Sequence, residues 1–255
     1  MAEYFFLEND NNQIVIDDNY HNPTFLFKQA VTTTDAMPYN TTQLVGGRYL
    51  PYRGYGATEL LEQFQIEGPS EKLGSRLFTF ARSRSGQPIE VSTVAMNDSN
   101  GVQIGYRPTV YSLAYGDIVD VAVFHLGQRT PSKIGLVLWN EQEEVVFDAM
   151  KGFLQIIDNL NLQINPAGGT HSYKIHDSAK LVDFDKLYIC SIGLKPFYVR
   201  GGTIVINYRA FFPTLRKDGN GDIYLDLVPF GDGASGAVVQ NWNDTTNIMI
   251  AYVPY

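Results

Sequence analysis

At 255 residues the chain can form one large domain or two ordinary ones, and it carries 44% apolar and 13% aromatic residues against only 18% charged. The net charge of −8, acidic in both halves, excludes a phosphate-binding surface, which needs clustered Lys and Arg, so no nucleic-acid partner is expected. The single cysteine, Cys190, excludes an internal disulfide, and no run approaches the ~18 apolar residues of a membrane-spanning helix.

From the N-terminus, Met1-Ala2-Glu3-Tyr4 lacks the basic start and apolar stretch of a signal peptide, so synthesis and assembly in a cytoplasm are expected. Tyr4–Leu7 and Ile14–Ile16 flank a polar stretch and read as a hairpin. Further strands are expected at Arg76–Ala81, Ile89–Ala95, Val119–Phe124, Ile134–Trp139, Val145–Phe147, Leu187–Ile192, Thr203–Arg209, Ile223–Leu227 and Ile248–Val253. Ser85-Gly86, Asn100-Gly101, Gly201-Gly202 and Asn220-Gly221 supply turns between them. Helical periodicity is confined to Thr58–Phe64 and Ala149–Asn159, and the second segment reads equally well as a strand. The expected fold class is all-β. Cys190 sits in the apolar run Leu187-Tyr188-Ile189-Cys190, where it reads as a small buried hydrophobe.

The chain also resembles itself. Tyr4–Asp17 aligns without gaps onto Gly135–Asp148, an offset of 131 residues (135 minus 4), with Leu7 on Leu138, Asn9 on Asn140, Val15 on Val146 and Asp17 on Asp148. Arg76–Phe80 then matches Lys186–Cys190, and Asp117–Val123 matches Asn247–Val253, in the same order. The reading is two tandem β-sandwich-like modules of related fold, 1–130 and 131–255, joined near Leu126–Lys133, where Pro131 interrupts a polar stretch. The first module would carry a long Tyr/Arg/Gly-rich loop near 32–57, and the second a hairpin insertion near 211–226.

The loop holds the candidate contact residues Tyr39, Arg48, Tyr49, Tyr52, Arg53 and Tyr55. Tyr and Arg give large contact area with a polar handle, so a partner protein or a glycan is expected there, against packing of the loop on its own module. Asp218, Asn220 and Asp222 have the alternate spacing that opens a calcium loop, but Ile223 and Pro229 stand where such a loop needs Gly and Glu, and an Asn-Gly turn explains the segment. His171 and His176 are too weakly patterned for a metal site, and Gly231–Gly236 lacks the spacing of a nucleophile elbow. Trp139 and Trp242 have the chemistry of sugar platforms, with packing as the default. No catalytic residue, cofactor or metal is expected.

Phe5–Asp17, and still more Gly135–Asn140 through Val145–Asp148, resemble the opening of small uncharacterised β-sandwich proteins of the tails of long-tailed bacteriophages, and the closing Ile248–Val253 run is also similar. The resemblance covers the first and last strands of each copy and carries no catalytic residue. It implies a virion structural protein near the tail tip or baseplate, assembled in the host cytoplasm, with other tail proteins and further copies of itself as partners. Three copies would present six similar modules, so a trimer or hexamer is expected. The alternatives are a carbohydrate-binding module recognising a host glycan through Tyr49, Tyr52 and Tyr55, and a polysaccharide-degrading enzyme, which would need two facing carboxylates in a cleft.

Overall fold

Short apolar-alternating segments between turn formers become strands throughout the computed structural model. It describes residues 6–8, 14–17, 23–36, 52–55, 77–97, 99–101, 103–125, 133–139, 143, 145–150, 152, 154–164, 169–192, 197–201, 205–230, 238–239 and 245–254. A hairpin of β1 (Phe6–Glu8) and β2 (Ile14–Asp17) opens the chain, followed by β3 (Thr24–Thr32), β4 (Asp35–Ala36), β5 (Tyr52–Tyr55) and β6 (Leu77–Ser83). Then come β7 (Ile89–Asn97), β8 (Gln103–Ser112) and β9 (Ile118–His125). The second half repeats the opening with the hairpin of β10 (Val137–Trp139) and β11 (Val145–Asp148), and continues with β12 (Gln155–Gln163) and β13 (His171–Lys174). After 3-10 turns at Asp177–Leu181 and Phe184–Lys186, β14 (Leu187–Ile192), β15 (Phe197–Gly201), β16 (Val205–Lys217), β17 (Ile223–Phe230), β18 (Val238–Val239) and β19 (Thr245–Tyr252) complete the chain. Among the described residues those two turns are the only helical elements, and the fold is all-β. Of the two segments with helical periodicity, Thr58–Phe64 lies outside the described residues and the other is strand from Gln155 on.

The organising element is a six-stranded sheet of order β12-β19-β14-β6-β9-β3. Its order reads the same from either edge if β3 is matched with β12, β9 with β19 and β6 with β14. The registers agree. Leu77 and Thr24 both partner His125, as Leu187 and Gln155 both partner Tyr252. The edge strands carry bulges at Phe25/Phe27 and Ile156/Asp158, again related by the offset of 131 (156 minus 25). At the centre β14 and β6 run antiparallel through Ile189 and Ala81. The two edges also meet, because the Phe25 amide donates to Gly152 O at 3.1 Å and the Leu154 amide donates to Pro23 O at 2.9 Å. The two edges therefore touch at one end of the sheet, where β3 and β12 begin.

Alternation sorts side chains between the two faces of this sheet. Phe80, Ala122, Phe124, Tyr188, Cys190, Ala251 and Val253 form one buried cluster drawn from both halves. Phe124 meets Phe25 and Phe80 edge-to-face at 5.6 and 5.8 Å between ring centroids. Burial pushes the Cys190 thiol up to about 12, in keeping with a packing role. The opposite residues of the same strands face outward and are covered by two smaller sheets. Order β4-β5-β8-β7 covers the first half, where Ile89, Val91 and Val110 pack on Phe27, Val119 and Val121. Order β13-β17-β16-β15-β18 covers the second, where Phe211, Leu225 and Leu227 pack on Leu187, Ile248 and Ile250. Each half is thus sandwich-like, with the two inner layers joined into one six-stranded sheet.

One alignment of the repeat shifts in this light. Val121 partners Gln29 and Ala81, and Ile248 partners Leu160 and Ser191, so Val121 corresponds to Ile248. Aligning Asp117–Val123 with Asn247–Val253 slips the strand by three residues, and an odd slip would exchange its two faces. Segment 211–226, expected as an inserted hairpin, forms the facing ends of β16 and β17 and supplies Phe211, Ile223 and Leu225 to the core.

Candidate interaction surface

The Tyr/Arg loop is only partly within the described residues, because Tyr39, Arg48 and Tyr49 lie outside them. Tyr52, Arg53 and Tyr55 fall in β5, where their backbones partner Ser112, Tyr111 and Thr109 of β8. Three of the six candidate residues therefore belong to a sheet that covers the first-half core.

Among the described residues, four of the eight exposed large hydrophobics gather at the second hairpin. Ile134 is 72% exposed, Met150 57%, Trp139 51% and Leu136 49%. The default of packing for Trp139 therefore does not hold within this chain. The base of the hairpin is tightly built: the Ala149 amide donates to Leu136 O at 2.9 Å, and the Met150 amide donates to Asp148 Oδ1 at 3.0 Å. Gly135 has φ +99°, and a Cβ there would lie 2.7 Å from Met150 Cγ, so glycine lets Met150 fold over the strand. A two-stranded ribbon buries little of itself, which makes exposed apolar residues on it available to a partner.

A cleft of about 280 Å³ lies at the junction of the halves, lined by Arg82, Ser83, Ser85, Ile89, Phe184 and Thr214 among others. Its polar groups hold one another. Arg82 pairs with Asp185, and its guanidinium lies 5.7 Å from the centroid of the Phe184 ring. Arg84 donates two bonds to Asp120 at 2.9 and 2.7 Å, and Thr214 Oγ1 donates to Gly86 O at 2.9 Å. Ser83, Ser85 and Ser112 hydroxyls donate to the buried Asp117 carboxylate at 3.0, 2.6 and 2.8 Å. Thr33 completes that brace: its Oγ1 accepts from the Asp117 amide at 3.0 Å, and its own amide donates to Asp117 O at 3.0 Å.

The residues weighed for metal binding are likewise engaged. Asp218 Oδ1 accepts from the Asn220 and Asp222 amides, both at 2.9 Å, which closes the Asn-Gly turn where Gly221 has φ +84°. Lys180 and Lys174 ion-pair with Asp222 and hold its carboxyl below the usual carboxylate range. The His171 ring packs 5.4 Å from the Phe211 centroid, and His176 Nδ1 caps the turn at Asp177–Leu181. Among the described residues no three His, Cys, Asp or Glu side chains gather as metal ligands.

The chain matches no protein-family model, no curated protein and no solved structure.

Proposed function

We propose that this chain is a structural component of a bacteriophage tail, an adaptor at the tip or baseplate that works through protein–protein contacts. The observation that carries the reading is the apolar hairpin, with Trp139 on the two-stranded ribbon and Ile134, Leu136 and Met150 at its foot each about half exposed or more. The doubled arrangement of the central sheet supports it, since a pseudo-symmetric body offers similar surfaces twice. The phage assignment rests on the resemblance of the hairpin sequences to those of tail proteins. The test is labelling of the chain in purified particles, viewed by electron microscopy. Label confined to the tail, in a ring of trimeric or hexameric stoichiometry, is the expected result. Particles that assemble and infect without the chain would overturn the reading.

A further inference from the structure

The two hairpins of this chain form an internal control. They share a register, Phe6 with Asp17 and Glu8 with Ile14 in one, Val137 with Asp148 and Trp139 with Val145 in the other, and each shifts register one residue before its third pair. That register sets Glu8 against Trp139. In sequence alone, the same offset of 131 sets Glu3 against Ile134, Phe5 against Leu136 and Asn19 against Met150, so three of the four positions are polar in the first copy. Pairing the ribbon does not require an apolar side chain at the Trp139 position, so the exposure of Trp139 points to something that covers it.

Charge points to the occupant. Exposed Lys133 precedes the strand at the foot of the hairpin, while exposed Glu143 lies in the turn at its tip, within the sequence Glu141-Gln142-Glu143-Glu144. The exposed apolar residues lie between foot and tip, from Ile134 in the bend before the strand to Trp139 at the end of β10. A ribbon basic at one end and acidic at the other is complementary to itself when a twofold axis inverts it, whereas side-by-side parallel copies would bring the acidic tips together. The chain's net charge of −8 makes unpatterned contacts between copies repulsive, which favours the arrangement that opposes unlike charges.

We infer that β10–β11 is a contact between two copies of this chain, packed antiparallel about a twofold axis, with Trp139 of each copy on Ile134 and Met150 of the other and Glu143 of each beside Lys133 of the other. Such a contact pairs copies, so of the two stoichiometries considered it supports a hexamer and not a trimer. The inference rests on the assembly reading only in treating the hairpin as a contact, and the two fail separately.

The experiment is light scattering of the full chain across a dilution series. The wild type is expected at twice the monomer mass of 28.6 kDa, or a larger even multiple. Trp139→Ser lowers the mass twofold while leaving the thermal unfolding transition in place. Glu143→Lys lowers it likewise, and adding Lys133→Glu restores it, a rescue that a folding defect does not give. A wild-type monomer, an odd-numbered assembly, a mass unchanged by Trp139→Ser or a charge swap without rescue overturns the inference. A monomer still found in particles overturns it while leaving the assembly reading standing, with a different tail protein as the occupant of the hairpin.

Discussion

The two halves place matching strands in one six-stranded sheet but brace their outer layers with different polar chemistry. In the first half one buried carboxylate, Asp117, accepts hydroxyls from Ser83, Ser85 and Ser112 and ties together the segments that follow β3, β6 and β8. In the second half the work is divided between a buried carboxylate, Asp226, and ion pairs nearer the surface. Arg216 donates to Asp226 at 2.7 and 3.3 Å and Ser172 donates to the same carboxylate, while Lys174 and Lys180 bridge Asp177 and Asp222. A buried carboxylate cannot be lost without orphaning its donors, whereas exposed pairs exchange readily with water and salt. Each half therefore has one buried acceptor, and the second adds a set of pairs that can be lost at little cost.

The largest effect is expected where the halves are not separable. Phe80 is fully buried beside Phe124 in the cluster drawn from both halves, so Phe80→Ala should cost about 3–5 kcal/mol and lower a single unfolding transition for both halves. Two transitions in chemical denaturation, with only one shifted, would show that the halves fold apart. Next comes Asp117→Ala, which strands buried hydroxyls of Ser83 and Ser112 and should cost about 2–4 kcal/mol by the same measurement. A loss below that of the second-half variants would erase the contrast between the two braces.

The halves should also answer pH with opposite signs. Desolvation pushes Glu90, on β7 of the first half, up to about 7 from its ordinary 4.5. It binds its proton more tightly folded than unfolded, so its contribution is complete below pH ~4.5 and is lost as pH rises through about 7. Glu90→Gln should thus stabilise the protein by roughly 2–3 kcal/mol at pH 8, and the difference should close near pH 4 in paired denaturation curves. Equal gains at both pH values would place the effect outside titration. Asp222 and Asp177 are held below their ordinary values by Lys180 and Lys174, so their contribution is present above the ordinary carboxylate value and is lost as pH falls through the lowered one. Asp222→Asn should have the smallest effect of the set at pH 7, diminished further by salt. A salt-independent loss matching that of Asp117→Ala would mean that the second-half pairs are not surface pairs in solution.

Much of the strand framework was legible because period-two alternation and turn residues are local signals. β6, β9, β14 and β17 lie where Leu77–Ala81, Val119–Phe124, Leu187–Ile192 and Ile223–Leu227 place them. The hairpin match was legible down to its Cα pairing, since both ribbons carry the same spacing between apolar runs. β3 and β12 were missed or left ambiguous because a bulge in each breaks the alternation after two residues. Trp139 read as a packing residue, since nothing in sequence distinguishes an aromatic that finds a cover from one that does not.

What this sequence determined by itself is an all-β chain with a repeated hairpin, an acidic balance and a cysteine suited to an apolar core. Each of these follows from residue types and short spacings. The tertiary structure alone decided that the two halves share one six-stranded sheet, that Phe80 and Cys190 meet in one cluster on it, and that Ile134, Leu136, Trp139 and Met150 stand exposed at the second hairpin. Those outcomes depend on pairings such as Ile189 with Ala81 and Pro23 with Leu154, between residues more than a hundred positions apart, and no local pattern encodes which distant edge a strand will meet.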